Sequence, residues 1–192
     1  MFFILFIACD SFSENAAGTG DFSGYIMDEI AGSSYTQAIL KDGEGKVLEE
    51  GPVLNGQRNG TWIKYAEDGR IQLLSSYRDG LLNGPVLRFS NRGQIEEKTF
   101  YKNNLYHGPR VTYRFGRPQA EMNYFENELD GMKRKYQNNG KIQEEVEYSK
   151  GVQDGIYRFY DDQGNMTLDY LYKNGEKVSG GIVEPPVEDG EN

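Results

Sequence analysis

Apolar and polar residues alternate in short runs along this chain, and glycine, asparagine and aspartate separate the runs. Ile71, Leu73, Ser75 and Tyr77, for example, occupy every second position of one run. Side chains two residues apart lie on the same face of a β-strand, so each run predicts a strand. The Asn-Gly and Asp-Gly dipeptides between runs accept the positive φ of tight hairpin turns. No helical pattern of useful length is present, and the sequence therefore predicts an all-β fold built from consecutive hairpins.

The runs recur with a period of about 24 residues, which three columns of equivalent positions mark. A glycine column comprises Gly60, Gly84, Gly108, Gly131 and Gly155. A first aromatic column comprises Tyr65, Phe89, Tyr113, Tyr136 and Tyr160, and a second comprises Tyr77, Tyr101, Tyr124, Tyr148 and Tyr172. A fixed period of this size is typical of repeat proteins. We therefore expect an elongated antiparallel meander of tandem hairpin repeats, with the two aromatic columns interleaved in one ladder of rings.

Several details of the period indicate where the chain turns. Asn104 and Asn127 replace glycine four residues before the glycine column, and asparagine is the residue other than glycine that best tolerates the left-handed region. The Asn-Gly pairs at 59–60 and 83–84 are interpreted as turns for the same reason. One unit is a residue shorter than the others within 113–116, which predicts a shortened hairpin loop there.

The period also divides the chain into segments. Five clear repeats cover residues 56–180, and a degenerate entry repeat covers 35–55, so the repeat domain is predicted over 34–180. Residues 10–33 have the polar, glycine-rich composition of a flexible linker. Residues 181–192 contain two prolines and four acidic residues, and a disordered acidic tail is expected.

An apolar run precedes Cys9, which is the single cysteine of the chain. Residues 1–9 resemble a bacterial lipoprotein signal, in which the cysteine is acylated, and the run is too short to span a bilayer, which takes roughly 20 apolar residues. We expect lipidation at Cys9 and a lipid-anchored location at the bacterial cell envelope. The alternatives are a frayed apolar N-terminus with a buried cysteine, and a cytoplasmic location.

The repeat units resemble a known family. Residues 77–95 and 148–164 are similar to the MORN-variant repeat of bacterial proteins, and the resemblance extends over about 50–180. It implies a hairpin-repeat sheet without catalytic residues or cofactors, in a binding or scaffolding protein that is often a lipoprotein or secreted. It implies, as an alternative, an antitoxin or immunity component that binds and neutralises a partner toxin.

Composition and charge narrow the function further. A net charge of −9 repels phosphate backbones, so nucleic-acid binding is not expected.

His107, the only histidine, stands where other repeats have asparagine or aspartate, which indicates a turn residue and not a general base. With His107 assigned to a turn, no second histidine remains for a Ser-His-Asp set, and one histidine and one cysteine are too few for a Cys- and His-rich zinc site. The doublets Glu96-Glu97 and Glu144-Glu145 lie in strands, where adjacent side chains point to opposite faces. We therefore predict a protein that is not an enzyme and holds neither a metal nor a cofactor.

Charged residues divide between the strands of each unit. The basic residues of the shorter strands are Arg88, Arg110, Arg114, Lys133, Arg134 and Lys135, and the acidic residues of the longer strands are Glu96, Glu97, Glu121, Glu144, Glu145 and Glu147. Neighbouring strands then alternate in sign, which predicts cross-strand ion pairs of about 0.2–1 kcal/mol each. A basic stripe that receives an acidic partner or a lipid headgroup is the alternative interpretation.

The candidate partner-binding surface lies on one predicted face. Trp62 shares its repeat position with Arg110, Lys133 and Tyr157, and the same face carries Lys135 and Phe159. Tryptophan and tyrosine are frequent hot-spot residues of protein interfaces. The aromatic residues at either end of the array have a second interpretation as caps that close the repeats against solvent.

Overall fold

The computed structural model describes residues 20–184, and within this range it consists of β-strands, turns and loops. The strands are β1 (Tyr25–Glu29), β2 (Thr36–Lys41), β3 (Val47–Leu54), β4 (Gln57–Arg58), β5 (Gly60–Tyr65), β6 (Ile71–Arg78), β7 (Leu81–Phe89), β8 (Ile95–Lys102), β9 (Leu105–Arg114), β10 (Arg117–Phe125), β11 (Glu128–Leu129), β12 (Gly131–Tyr136), β13 (Ile142–Ser149), β14 (Val152–Tyr160), β15 (Met166–Lys173) and β16 (Glu176–Ile182). The all-β prediction is confirmed. Cys9 and most of the predicted acidic tail lie outside the described residues.

All the strands belong to one antiparallel sheet, and they follow one another in chain order. The two-residue strands β4 and β11 pair with β3 and β10 beside the main path. Each strand pairs with the next through a hairpin, which confirms the predicted meander. In the described part of the chain there is no apolar helix long enough to cross a bilayer.

The N-terminal boundary of the sheet differs from the prediction. The segment predicted as a linker over residues 10–33 contains β1, whose Ile26 lies opposite Ile39 of β2. Tyr25 begins this strand, and its ring lies 6.1 Å from that of Trp62. The alternation in this strand is short and lies outside the 24-residue period, so the sequence did not indicate its pairing with β2. The predicted entry repeat forms the hairpin of β2 and β3.

Tight turns close one end of each hairpin pair. Asn104 and Asn127 are in the left-handed region with φ of 67° and 72°, and they follow Asn103 and Glu126, which also have positive φ. The turns predicted at the two asparagines are confirmed. In the short unit, Phe115 and Gly116 form a two-residue loop with φ of 53° and 75°, so the missing residue lies in the loop as predicted.

The glycine column does not lie in turns, and this corrects the interpretation of the Asn-Gly pairs at 59–60 and 83–84. Gly84 lies inside β7 with a φ of 117°, at a bulge where residues 83–85 lie opposite Ser76 alone. A Cβ at Gly84 would lie 3.0 Å from Cβ of Ser76. Glycine is therefore needed both for the positive φ and for the close approach, and a strand bulge and a turn give the same sequence signal.

The sheet has two faces, which we name after one residue each. Register places Trp62 beside Ser75 and Val86 on the Trp62 face, whereas Arg134 and Glu145 pair on the opposite side, the Glu145 face. Directly opposed residues of neighbouring strands point to the same face, so the register assigns every strand residue away from the bulges.

The two aromatic columns lie on different faces, which corrects the expectation of one interleaved ladder. The ring of Tyr77 packs 6.4 Å from that of Trp62, on the Trp62 face. The hydroxyls of Tyr136 and Tyr160 donate instead to Glu121 and Glu145 on the other face, at 3.1 Å and 2.9 Å. The first aromatic column, which contains Tyr136 and Tyr160, stands five residues after the glycine column on the same strand. Because side chains alternate between faces along a strand, this odd spacing places the first aromatic column on the face opposite to that of the glycine column.

A single layer leaves little interior. The buried apolar residues among those described are Ala38, Val53, Trp62, Tyr77 and Val146. All but Val146 form one cluster near the N-terminal end of the sheet, which Phe22, Tyr25 and Leu82 complete. Most other side chains are half-buried, because no second layer covers either face over residues 20–184.

Candidate protein-binding surface

Trp62 is buried, and this removes it from the predicted partner-binding surface. Its side chain is 1% exposed, and the ring stacks on that of Phe22 at 5.9 Å. The guanidinium of Arg58 lies 4.0 Å from its centroid, and its indole nitrogen donates to the carbonyl of Pro52 at 3.0 Å. Trp62 therefore caps the N-terminal end of the sheet. The sequence left the cap and the partner contact open, because Phe22, which stacks on the indole, lies outside the repeat period.

Arg110 is also committed to a structural contact. Its Nε and Nη2 donate to the two carboxylate oxygens of Glu97 at 3.0 Å and 3.1 Å, and the hydroxyl of Thr99 donates to Glu97 at 2.8 Å. Burial acts to raise the pKa of Glu97, but the hydrogen bonds from Arg110 and Thr99 outweigh it, so this pKa lies below its usual value. The pairing confirms the predicted attraction between basic and acidic strands, and it leaves Arg110 less available to a partner.

The other four predicted surface residues lie together. Lys133 and Tyr157 are both opposite Val146, and Lys135 and Phe159 are both opposite Glu144. Register thus places the four side chains in two adjacent rows across β12, β13 and β14 on the Trp62 face. We call Lys133, Lys135, Tyr157 and Phe159 the lysine–tyrosine patch. Neither lysine takes part in the ion pairs found among residues 20–184.

Two further tyrosines of β15 extend this patch. The rings of Tyr157 and Tyr170 are nearly parallel, at 5° and 6.1 Å, and Tyr172 meets Tyr157 edge-on at 6.3 Å. The ammonium of Lys177 lies 4.5 Å from the centroid of Tyr170. Burial, followed by the charge and hydrogen bond of Glu144, raises the pKa of Tyr157. Tyr170 was not among the predicted site residues, although its even spacing from Tyr172 places both on one face.

The opposite face carries a row of alternating charges at the same height. Glu121, Arg134, Glu145, Arg158 and Asp169 lie directly opposite one another on five successive strands of the main path. Arg134 contacts Glu145 at 2.9 Å and Glu121 at 4.0 Å, and Arg158 contacts Asp169 at 3.1 Å. This row confirms the predicted alternation of sign. Glu144 and Glu145 point to opposite faces, as the alternation along a strand predicts.

His107 lies within β9, directly before the bulge at Gly108, so the turn predicted for it is replaced by a bulge. Its ring packs 5.0 Å from that of Phe125. Within the described range, no group of three or more histidine, cysteine, aspartate or glutamate side chains is placed to hold a metal ion. That the protein is not an enzyme stays a prediction.

Comparison with known proteins identifies the repeat. Residues 82–103, 129–150 and 153–174 match the MORN repeat variant. Three segments of this chain are thus similar to the MORN-variant repeat. Each match contains one hairpin, formed by β7 and β8, by β12 and β13, or by β14 and β15. Outside the matched segments, the hairpin of β5 with β6 closes in the same register as that of β7 with β8, whereas the hairpin of β9 with β10 closes through the two-residue loop at Phe115 and Gly116.

The remaining comparisons add little. No curated protein matches the chain. Solved structures that match include the crystal structure of TarM, with 13% identity and a TM-score of 0.36. The similarity covers 57% of this chain and 21% of TarM, and at this TM-score nothing is inferred from it. The MORN-variant repeats are consistent with a binding or scaffolding repeat protein.

Proposed function

We propose that this chain is a non-enzymatic binding and scaffolding protein that docks a protein partner on the lysine–tyrosine patch, while an acylated Cys9 attaches it to a membrane of the bacterial cell envelope. One observation carries the docking proposal. Two lysines without an ion-pair partner among residues 20–184 lie beside stacked tyrosines on a face that no second layer covers there. The anchor rests on the apolar run before Cys9, and that residue lies outside the described range.

The composition of the patch suits a protein interface. Tyrosines that neighbouring rings hold in place lose little side-chain entropy on binding and contribute large contact areas. The parallel rings of Tyr157 and Tyr170 are held in this way. Lys133 and Lys135 offer charge to an acidic rim of the partner, which favours rapid and specific association. At the other end of the same face Trp62 is 1% exposed, so its ring cannot contact a partner.

Site-specific photo-cross-linking tests the docking proposal. A benzophenone amino acid is placed at Lys135 in the full chain, and at Lys102 as an exposed position near a turn of another repeat. Cross-linking in cells should give one discrete adduct from position 135 and none from position 102. Equal adducts from both positions would contradict a localised surface.

Affinity for the cross-linked partner then tests the tyrosines. Tyr157→Ala should weaken binding about tenfold or more, because hot-spot truncations cost about 2 kcal/mol. Leu171→Ala is the matched control, since Leu171 is 45% exposed on β15 but faces the opposite side from Tyr170. It should change affinity less than twofold. Similar losses in both variants would refute the patch.

The anchor has an independent test. Labelled palmitate should enter the wild-type protein and fail to enter Cys9→Ser, which should also leave the membrane fraction. If labelled palmitate still enters the Cys9→Ser variant, the lipid anchor at Cys9 is refuted, and the docking proposal is unaffected. The antitoxin alternative predicts that expression of the partner alone arrests growth. Co-expression with this chain should restore growth, and co-expression with the Tyr157→Ala variant should not.

A further inference from the structure

A second concave region lies on the Trp62 face, over repeats that contain none of the lysine–tyrosine patch. It is a groove of about 1120 Å³ across β5 to β9, bordered by the loop after β7 and the loop at Phe115. Leu73, Leu82 and Val86 contribute an apolar floor. The partner-binding surface predicted from the sequence includes a single residue of this groove, Arg110.

The charge of the groove is opposite to that of the chain. Its basic lining residues are Lys64, Arg88, Arg92, Arg110 and Arg114, and its acidic lining residues are Glu96 and Glu97. Five positive and two negative side chains give the lining a net charge of +3, whereas the whole protein carries −9. The positive lining attracts an anionic segment of a partner at short range.

Arg88 lies beside the apolar floor of the groove and is available to such a partner. It is exposed and lies opposite Leu73 on one side and Glu97 on the other. Glu97 accepts three hydrogen bonds from Arg110 and Thr99, and the charge of Arg88 also helps to lower the pKa of this carboxyl, but no ion pair joins Arg88 to Glu97. Arg88 takes part in none of the ion pairs within the range that the structure describes. A guanidinium with free donors is suited to a carboxylate, which it binds through two parallel hydrogen bonds.

We infer that this groove binds an extended acidic segment of a protein partner, with one carboxylate on Arg88 and the apolar residue two positions away on Val86. Val86 and Arg88 are two residues apart on one face of β7, which separates them by about 6.6–6.8 Å along the strand. Side chains two residues apart in an extended peptide have the same spacing. A segment that alternates acidic and apolar residues therefore fits both the charge and the floor of the groove.

The test uses the full chain and fluorescent peptides of about eight residues in the extended, alternating pattern of peptides that bind along sheets. The first alternates glutamate and leucine, and the second alternates lysine and leucine. Fluorescence anisotropy should show binding of the first peptide, no binding of the second, and loss of binding at high salt. Binding of the lysine peptide as tight as that of the glutamate peptide would overturn the inference.

Arg88→Gln tests the carboxylate contact. It should weaken binding of the glutamate peptide about tenfold, as expected when a charge-assisted hydrogen bond is lost. The matched control is Lys102→Gln, which removes one positive charge from an exposed position of β8 outside the groove. It should weaken binding less than twofold. Equal weakening in the two variants would show attraction without a site and overturn the inference.

Two further measurements locate the peptide and exclude a membrane surface as the occupant. A benzophenone in the glutamate peptide should cross-link to residues of β5 to β9 and not to β12 to β15. Vesicles of phosphatidylglycerol should bind wild type and Arg88→Gln equally. A tenfold loss of vesicle binding in Arg88→Gln, with peptide binding unchanged, would assign Arg88 to lipid headgroups and overturn the inference. The lysine–tyrosine patch is unaffected by any of these outcomes.

Discussion

The Nε of Arg134 donates a hydrogen bond to Oε1 of Glu145 at 2.9 Å across two neighbouring strands. The other carboxylate oxygen of Glu145 accepts the hydroxyl of Tyr160 at 2.9 Å, so the side chain, 12% exposed, is satisfied on both sides. A sheet of one layer buries little apolar surface. Directly opposed ion pairs therefore help to fix the register between strands, because a slip of one residue would move the charges of one strand to the other face.

Glu145→Gln should destabilise the protein by about 2 kcal/mol, because Arg134 and Tyr160 lose a charged acceptor in a poorly solvated position. Urea denaturation followed by circular dichroism measures the change. Glu96→Gln serves as the control, since Glu96 is exposed, and it should change the free energy of unfolding by less than about 0.5 kcal/mol. Equal effects would contradict a role for the charge row.

Gly51→Ala should destabilise the N-terminal end of the sheet by about 1–3 kcal/mol. A Cβ at position 51 would overlap the indole of Trp62, and the ring is held in place by Phe22 and Arg58. Trp62 is the single tryptophan, so its fluorescence reports the unfolding of this region directly. Gly43→Ala, where a Cβ meets nothing within 4 Å, should leave the midpoint unchanged. A Gly51→Ala midpoint equal to wild type would show that the ring can move.

Asn104 combines two stabilising effects that two substitutions separate. Its Oδ1 accepts the backbone N–H of Leu82 at 2.6 Å, and its φ is 67°. Asn104→Gly loses the hydrogen bond but also removes the Cβ, which is unfavourable at this φ, and should cost about 1 kcal/mol. Asn104→Ala loses the same hydrogen bond and keeps a Cβ in the left-handed region, so it should cost about 1 kcal/mol more than Asn104→Gly. Thermal denaturation measures both variants, and equal losses would contradict the contribution of φ.

The ion pair of Glu97 should make stability depend on acidic pH. Its pKa is lowered in the folded protein from the usual 4.5, so folding is stabilised above that value and the stabilisation is lost as the pH falls through the folded-state pKa. Wild type should therefore exceed Glu97→Gln by about 1 kcal/mol at pH 7, and the difference should shrink below pH 4.5. Urea midpoints across the acidic range measure it. A difference that stays constant with pH would show that the charge of Glu97 does not contribute.

The local backbone conformation could be predicted from the sequence wherever a backbone position accepts only a few residue types. The left-handed turns at Asn104 and Asn127 and the shortened loop at Phe115 follow from residue identity and spacing alone. The column that joins Lys133 to Tyr157 likewise placed these side chains on one face before the register was known. Gly84 is different, because positive φ suits a bulge as well as a turn, and only the pairing with Ser76 distinguishes them.

The repeat period by itself determined the all-β fold, the order of the hairpins and the alternation of charge, because these depend on residues about 24 positions apart or fewer. The tertiary structure decided which residues are covered. Trp62 is buried in part by Phe22, which lies outside the period, and Arg110 is held by Glu97 while Arg88 remains exposed. Coverage depends on contacts between side chains of different strands and loops, and no column of equivalent positions contains that information.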